Sequence, residues 1–354
     1  MESECLIKPN HSKLTKTKQN RYAKSINMKL YLLVALFFIA SDLFADQAET
    51  IIKLKTETGI LEGSLMIPTG NSPVPVALII AGSGPTDRDG NNPAMKNNSL
   101  KMLAEALSEN GIATLRYDKR GIGKSQQAGV KESELRFEHY ISDAKDWVAL
   151  LNKDERFSGI TIIGHSEGSL IGMVAAQESC AKNVISIAGP GLSADKVILQ
   201  QIESQSLQVL TRVLPIIERL RQGKKVNDVN PQLYALFRPS VQPYMISWFK
   251  YDPAEEIAKL KMPVLIIQGL NDIQVSEAQA KMLAKANPNA QLKLVDGMNH
   301  IFKQSGTSRA DNLASYNQPD LPINPVLTHV ITDFVMKNDK QKSNLAYIKS
   351  CVAQ

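Results

Sequence analysis

Short apolar runs that alternate with stretches of helical period constrain the fold of this 354-residue chain more than any other feature. Val76 to Ala81, Ala113 to Tyr117, Ile160 to Ile163, Val184 to Ala188, Val264 to Gln268 and Gln291 to Val295 are rich in Val, Ile and Leu. Most are close to continuously apolar, the pattern of strands covered on both faces. Between them Ser99 to Asn110, Tyr140 to Asn152, Gly168 to Glu178 and Glu277 to Ala286 carry helical periodicity. Such alternation requires a mostly parallel sheet wrapped by helices. Ahead of it, Ile51 to Lys55 and Leu61 to Ile67 flank Thr58-Gly59 and read as an antiparallel hairpin. With 43% hydrophobic and 21% charged residues and only 3 Cys, the chain is neither disordered nor a disulfide scaffold.

One interval breaks the alternation. From Leu192 to about Ile257 there is no strand candidate, only amphipathic material such as Val197 to Leu220, followed by Pro231, Pro239 and Pro243. It is too long for an ordinary connection and reads as a helical cap over the strand ends. The expected organisation is therefore a leader over 1–45, a core over 46–191 and 258–340, a cap over 192–257 and a polar tail over 341–354. Pro325 to Lys337 suits a last helix packed on the sheet.

The leader carries most of the net charge, +4 of the total +6, which leaves too little for a nucleic-acid footprint. Lys24 and Lys29 precede an apolar run from Leu30 to Ala40, too short to span a membrane but suited to a secretory signal cleaved after Ala45. Residues 1–27 make an unusually long approach to that run, which a translation start at Met28 would shorten. No Cys follows the run to serve as a lipid anchor, so the mature chain is expected to be periplasmic or secreted, without a stable membrane anchor. Of the cysteines only Cys180 and Cys351 remain after cleavage; they read as a buried helix residue and a tail residue rather than a framework.

Chemistry concentrates at Thr161-Ile162-Ile163-Gly164-His165-Ser166-Glu167-Gly168. A strand running through Gly-x-Ser-x-Gly into a helix is the setting of a nucleophile elbow, in which Ser166 stands exposed at a helix N-terminus. The pentapeptide alone is a weak signal, present by chance in roughly one chain in ten of this length; its placement between strand and helix gives it weight. A serine nucleophile needs a base, and the base needs an orienting carboxylate. Of five histidines, His11 lies in the leader, His139 and His329 sit on helices, and His165 is expected to point away from the nucleophile. His300 follows the last strand, in the loop Asp296-Gly297-Met298-Asn299-His300. Asp272, after Val264 to Gln268, is the expected acid; Asp296 is its rival but stands where a turn former belongs. The order Ser166, Asp272, His300 is that of α/β-hydrolases.

Oxyanion donors are expected from the backbone N–H of Glu167 and from Ser83, in the loop Gly82-Ser83-Gly84-Pro85-Thr86-Asp87-Arg88-Asp89-Gly90. Asp87, Arg88 and Asp89 read as a loop that pairs with itself. Gly121-Ile122-Gly123-Lys124-Ser125 fails as a phosphate loop because Asp118 stands where a glycine is required, which leaves Lys119, Arg120 and Lys124 as ordinary loop residues. No His-x-x-x-His pair or Cys/His cluster suggests zinc, so no cofactor and no metal are expected.

These segments together resemble the EstD-type bacterial carboxylesterases of the α/β-hydrolase superfamily, close to the serine aminopeptidase-like hydrolases. The resemblance rests on Ala81 to Gly90, Leu115 to Ser125, Gly164 to Gly168, Pro263 to Asp272 and Asp296 to His300, and it spans about Gly63 to Val335. It implies an α/β-hydrolase fold and hydrolysis of a small-molecule ester with Ser166, Asp272 and His300 as triad. The leader departs from the family pattern. The cap carries Gln200-Gln201 and the charged stretch Glu218 to Lys225 among its apolar residues, so a modest pocket for short acyl groups is expected rather than a lipid-docking face. A peptidase or amidase with the same triad, and a catalytically silent binding protein, are the alternatives; oligomeric state is not legible.

Overall fold

The structure is a computed structural model that describes residues 49–340 apart from 71–72 and 205, all within one compact unit. The leader, Cys351 and the polar tail lie outside the described residues. Strands β1 (Thr50–Lys55) and β2 (Ile60–Met66) form the expected hairpin and pair antiparallel, with Leu54 opposite Leu61. Then follow β3 (Val74–Ile80), helix α1 (Ser99–Glu109), β4 (Ala113–Tyr117), α2 (Phe137–Asn152), β5 (Phe157–His165), α3 (Glu167–Gln177) and β6 (Ala181–Ile187). After a long insertion, β7 (Val264–Gly269), α9 (Glu277–Ala286), β8 (Gln291–Val295), α10 (Arg309–Ala314) and α11 (Pro325–Lys340) complete the chain. The insertion supplies α4 (Ala194–Glu203), α5 (Leu207–Arg221), α6 (Tyr234–Phe237), α7 (Gln242–Trp248) and α8 (Pro253–Ala258).

The strands form one eight-stranded sheet in the order β1-β2-β4-β3-β5-β6-β7-β8, parallel from β4 to β8. This is the α/β-hydrolase architecture. Alternate residues of each central strand enter opposite layers, which is why those strands are apolar throughout. Leu78, Ile162, Val184 and Ile266 pack under α2, α3 and α9, while Ile79, Ile163, Ile185 and Ile267 pack under α1 and α11. The chain leaves β3 toward β4 on one side and returns to β5 on the other, so the loops after β3 and β5 diverge at a switch point. Open α/β sheets hold their ligands at such a crevice, at the carboxyl ends of the strands.

Two local expectations differ from what is observed. The amphipathic run Val197 to Leu220 is broken into α4 and α5, because the Ser206 hydroxyl accepts the Val209 N–H at 3.3 Å and caps a second helix. Cys180 is not a buried helix residue; it is half-buried, past the end of α3. The insertion has an apolar cluster of its own, built on Ile198, Val213, Ile217, Leu220, Phe237 and Met245. Among the described residues no helix is long and apolar enough to cross a membrane.

On the α2 side of the sheet, Trp147 is fully buried with its ring centroid 5.6 Å from that of Tyr117 on β4. Trp147→Ala is expected to lower the free energy of unfolding by about 3–5 kcal/mol through the cavity it leaves, read as a shift in urea midpoint. A loss well under 1 kcal/mol would show that α2 does not depend on this side chain.

Candidate active site

At the end of β5 the backbone enters a conformation that few residues tolerate. Ser166 has φ 54° and ψ −119°, while its N–H still donates to Ile187 O of β6 at 3.0 Å. A non-glycine residue held there stores on the order of 1–3 kcal/mol of strain. The flanking glycines make the turn sterically feasible. A Cβ on Gly164 would lie 2.2 Å from Gly168 O, and one on Gly168 would lie 2.4 Å from Ile80 O of β3. Ser166 is thereby the N-cap of α3, with its side chain at the positive end of the helix dipole.

Asp272 and His300 are brought together as expected. His300 Nδ1 lies 2.8 Å from Asp272 Oδ2, and the two side chains are 5% and 1% exposed. The Asp272 carboxylate accepts three further hydrogen bonds: Gln268 Nε2 to Oδ2 at 3.1 Å, and the N–H groups of Gln274 and Val275 to Oδ1 at 2.7 and 3.0 Å. Burial pushes the Asp272 pKa up, but the adjacent His300 and these backbone donors outweigh it and hold it below the usual carboxylate range. An ionised, saturated Asp272 fixes the proton of His300 on Nδ1 and leaves Nε2 to act as a base. Asp296 sits in the turn that precedes His300, where its carbonyl accepts from Asn324 Nδ2 at 3.3 Å; the carboxylate that meets His300 is that of Asp272.

Ser166, Ser83 and Glu167 line one cavity of about 660 Å3. Its wall takes Leu135, Tyr140 and Leu170 from the core and Val197, Leu236, Tyr244 and Trp248 from the insertion. Gly82 presses on the nucleophile, since a Cβ there would lie 3.2 Å from Ser166 Cβ. The loop that carries Ser83 therefore passes directly beside Ser166. Among the described residues no hydrogen bond joins Ser166 Oγ to His300; such contacts commonly tighten only once substrate is bound. No three His, Cys, Asp or Glu side chains gather at metal-binding distances among the described residues.

Several groups act in ways that local sequence reading misses. His165 reaches the loop that carries His300: its Nε2 lies 2.9 Å from the His300 carbonyl, and the two rings are 4.8 Å apart. A carbonyl only accepts, so His165 carries its proton on Nε2 and holds the backbone of the base in place. The loop after β3 pairs with other elements as well as with itself. Arg88 binds Asp118 through Nη2 at 2.8 Å, Glu62 at 2.7 Å and Ser64 at 3.0 Å, and Asp89 accepts from Arg116 Nε at 2.9 Å. Asp87 serves its own loop, accepting the N–H groups of Asp89 and Asn91, and the Thr86 hydroxyl donates to Ser83 O at 2.9 Å. Lys119 and Arg120 are not ordinary loop residues either. Lys119 is buried beside the nucleophile, and Arg120 pairs with buried Asp143 of α2 at 2.5 Å. On the cavity wall, Arg238 of the insertion binds Glu132 through Nε at 2.9 Å. Any signal for these pairings in sequence is weak, because the partners are distant along the chain.

Comparison with known proteins agrees with this fold. The family model described as "Serine aminopeptidase, S33" matches residues 95–237. Esterase EstD of Thermotoga maritima is 30% identical over 250 residues, an alignment that takes in 68% of this chain and 58% of the relative's own length. Among solved structures, Est1E from Butyrivibrio proteoclasticus superposes with a TM-score of 0.53 at 19% identity, covering 81% of this chain and 98% of that one. The Pyrococcus furiosus esterase Pf2001 gives a TM-score of 0.53 at 18% identity, covering 83% and 91%. At such identities these two structures show the fold alone.

Burial, and after it the charge of His300, pushes the pKa of His165 down to about 3. An unfolded histidine titrates near 6.5, so below that pH the unfolded state binds a proton the folded state refuses, and stability is lost progressively down to about pH 3. Between pH 7 and pH 5 this one group is expected to remove about 2 kcal/mol. Asp272, with a lowered folded pKa, loses its contribution only as pH falls below about 4, outside that window. Urea unfolding of wild type and His165→Gln at both pH values checks this: the variant should lose less between pH 7 and 5. An equal loss in both would show that His165 is already protonated when folded.

Proposed function

We infer that this chain, which belongs to the EstD-type branch of the α/β-hydrolases, is a serine carboxylic ester hydrolase that works through an acyl-enzyme on small or short-chain acyl esters. The observations that carry the reading are the coupling of Asp272 to His300 and a serine held at φ 54° on the wall of a largely apolar cavity. In this mechanism His300 Nε2 takes the Ser166 proton as Oγ attacks the ester carbonyl. The charge on the carbonyl oxygen is received by the N–H groups of Ser83 and Glu167, at the N-terminus of α3. Collapse of the tetrahedral intermediate expels the alcohol, which takes the proton from His300. Water then enters, gives a proton to His300 as it attacks the acyl carbon, and the second intermediate collapses to the free acid as His300 returns that proton to Ser166 Oγ. Asp272 stays ionised throughout and stabilises the imidazolium.

Removing the nucleophile of such a triad costs on the order of a million-fold in kcat, so Ser166→Ala is expected to abolish turnover of p-nitrophenyl esters and labelling by a fluorophosphonate while the circular dichroism spectrum stays unchanged. Retained turnover in a clean preparation would sink the assignment. The match to the serine aminopeptidase model favours one second reading, amide hydrolysis by the same residues. Faster turnover of aminoacyl anilides than of p-nitrophenyl esters would put that reading in place of ours.

The cavity supports a limit on acyl length. Each buried methylene adds about 0.8 kcal/mol, roughly fourfold in kcat/KM, until the space is full. Along an acyl series from acetate to palmitate we expect a rise that stops before laurate; a maximum at laurate or beyond, or activation by an oil–water interface, would refute it. Export with cleavage after Ala45 belongs to the same reading and rests on the Leu30 to Ala40 run. The intact mass of the cell-derived protein should then correspond to a chain that starts at Asp46, and a start before Leu30 would refute export.

A further inference from the structure

We propose that Lys119 is the positioning residue of the oxyanion hole, a buried clamp that holds both peptides whose N–H groups receive the charge; the inference rests on the serine esterase reading above. Lys119 follows the end of β4, and its side chain is 1% exposed. Its Nζ donates to Gly82 O at 2.6 Å and to Glu167 Oε2 at 3.2 Å. Each acceptor belongs to one of the two donor segments.

The Gly82 carbonyl and the Ser83 N–H are the two ends of a single planar peptide, and in a trans peptide they point in opposite directions. An ammonium on the carbonyl therefore fixes the rotation of that peptide plane with the Ser83 N–H facing away from Lys119. It also withdraws electron density from the peptide and makes the N–H a stronger donor. At the other donor, the Glu167 carboxylate is anchored at both oxygens, by Lys119 at Oε2 and by the Tyr244 hydroxyl, which donates to Oε1 at 2.5 Å. That carboxylate hangs from the residue whose backbone N–H is the second donor, the first residue of α3. Lys119 thus sets the spacing between a loop and a helix that have no covalent reason to keep one.

Lys119 also lines the cavity, but its donors are committed within the protein. An ammonium has three donors. Two are committed to Gly82 O and Glu167, and the Nζ also stands 4.9 Å from the centroid of the Tyr140 ring, where the π face satisfies the remaining charge. A buried ion pair of this kind adds little to stability compared with an apolar pair of similar volume. Its place, bridging Gly82 and Glu167, matches a role in holding the site.

The test is Lys119→Met in the full chain, assayed with p-nitrophenyl acetate and with a trifluoromethyl ketone, whose serine adduct places an oxyanion in the hole. Loss of one whole oxyanion donor costs about 100- to 1,000-fold in kcat, and loss of its alignment is expected to cost about 10- to 100-fold. We expect kcat to fall in that range with KM unchanged within about twofold, and the affinity for the ketone to fall by the same factor as kcat, as differential binding of the transition state requires. Because Lys119→Met leaves Glu167 buried without its cation, the double variant Lys119→Met/Glu167→Gln, which removes both charges and keeps the backbone donors, carries the same test if the single variant does not fold. Unchanged kcat and ketone affinity, or a raised KM at constant kcat, would overturn the clamp while leaving the esterase reading intact. Failure of the esterase reading looks different: Ser166→Ala would then turn over esters as fast as wild type, and both inferences would fall together.

Discussion

The structure turns on an absence of matter, the missing Cβ atoms at Gly164 and Gly168. Because a Cβ at either position would lie within 2.4 Å of a backbone oxygen, α3 approaches β5 and β3 more closely than any other residue would allow. That approach forces the connection into a single strained residue, and the strained residue is the serine. Everything else in the site is arranged around this fixed point. The hydrogen bond from Ser166 N–H to β6 and the seat of Gly82 against Ser166 Cβ lock the turn from two further sides. Close packing transmits such constraints because interiors have almost no free volume in which to relax.

Around that point, charge is organised by saturation rather than by proximity alone. Asp272 accepts four hydrogen bonds, so its orientation does not depend on His300, and His300 is held at its ring by Asp272 and at its backbone by His165. The loop after β3 is treated the same way. Arg88 ties it to β2 and to Asp118 beyond β4, and Arg116 ties it to β4 through Asp89. These cations sit in low-exposure sites where an unpaired charge would be costly, so the pairs specify one loop conformation more than they add stability. A loop that must present a backbone N–H to a reacting atom needs that specificity.

How far the sequence speaks for the molecule depends on the range of the interaction. The central strands were legible because a strand buried on both faces must be apolar at successive positions, as at Leu78-Ile79 and Ile162-Ile163; β1 and β2 were legible from the turn they flank, and β8, exposed over its first three residues, from its place in the alternation. The elbow at Ser166 and the meeting of Asp272 with His300 were legible from chain order and from their places at strand ends; the roles given to them belong to the proposed function. The cap was legible as an interruption, but not its division at Ser206, where a cap hydroxyl outweighs a continuous amphipathic period. The partners of Lys119, Arg88 and His165 were not legible, for one common reason. They lie 37, 30 and 135 residues away, and a charged or imidazole residue in a loop looks local until the fold brings its partner to it.

The separation of the site along the chain has a consequence for how it comes into being. The elbow belongs to β5 and α3, whereas the base belongs to the loop after the last strand, about 130 residues further on. At synthesis rates of about 5–20 residues per second, Ser166 leaves the ribosome roughly 7 to 27 s before His300 does. Through that interval the nascent chain carries Ser166 without His300. On the mechanism proposed above, the chemistry waits for the arrival of β8 at the edge of the sheet, and a truncated translation product that ends before β8 is then inert toward esters.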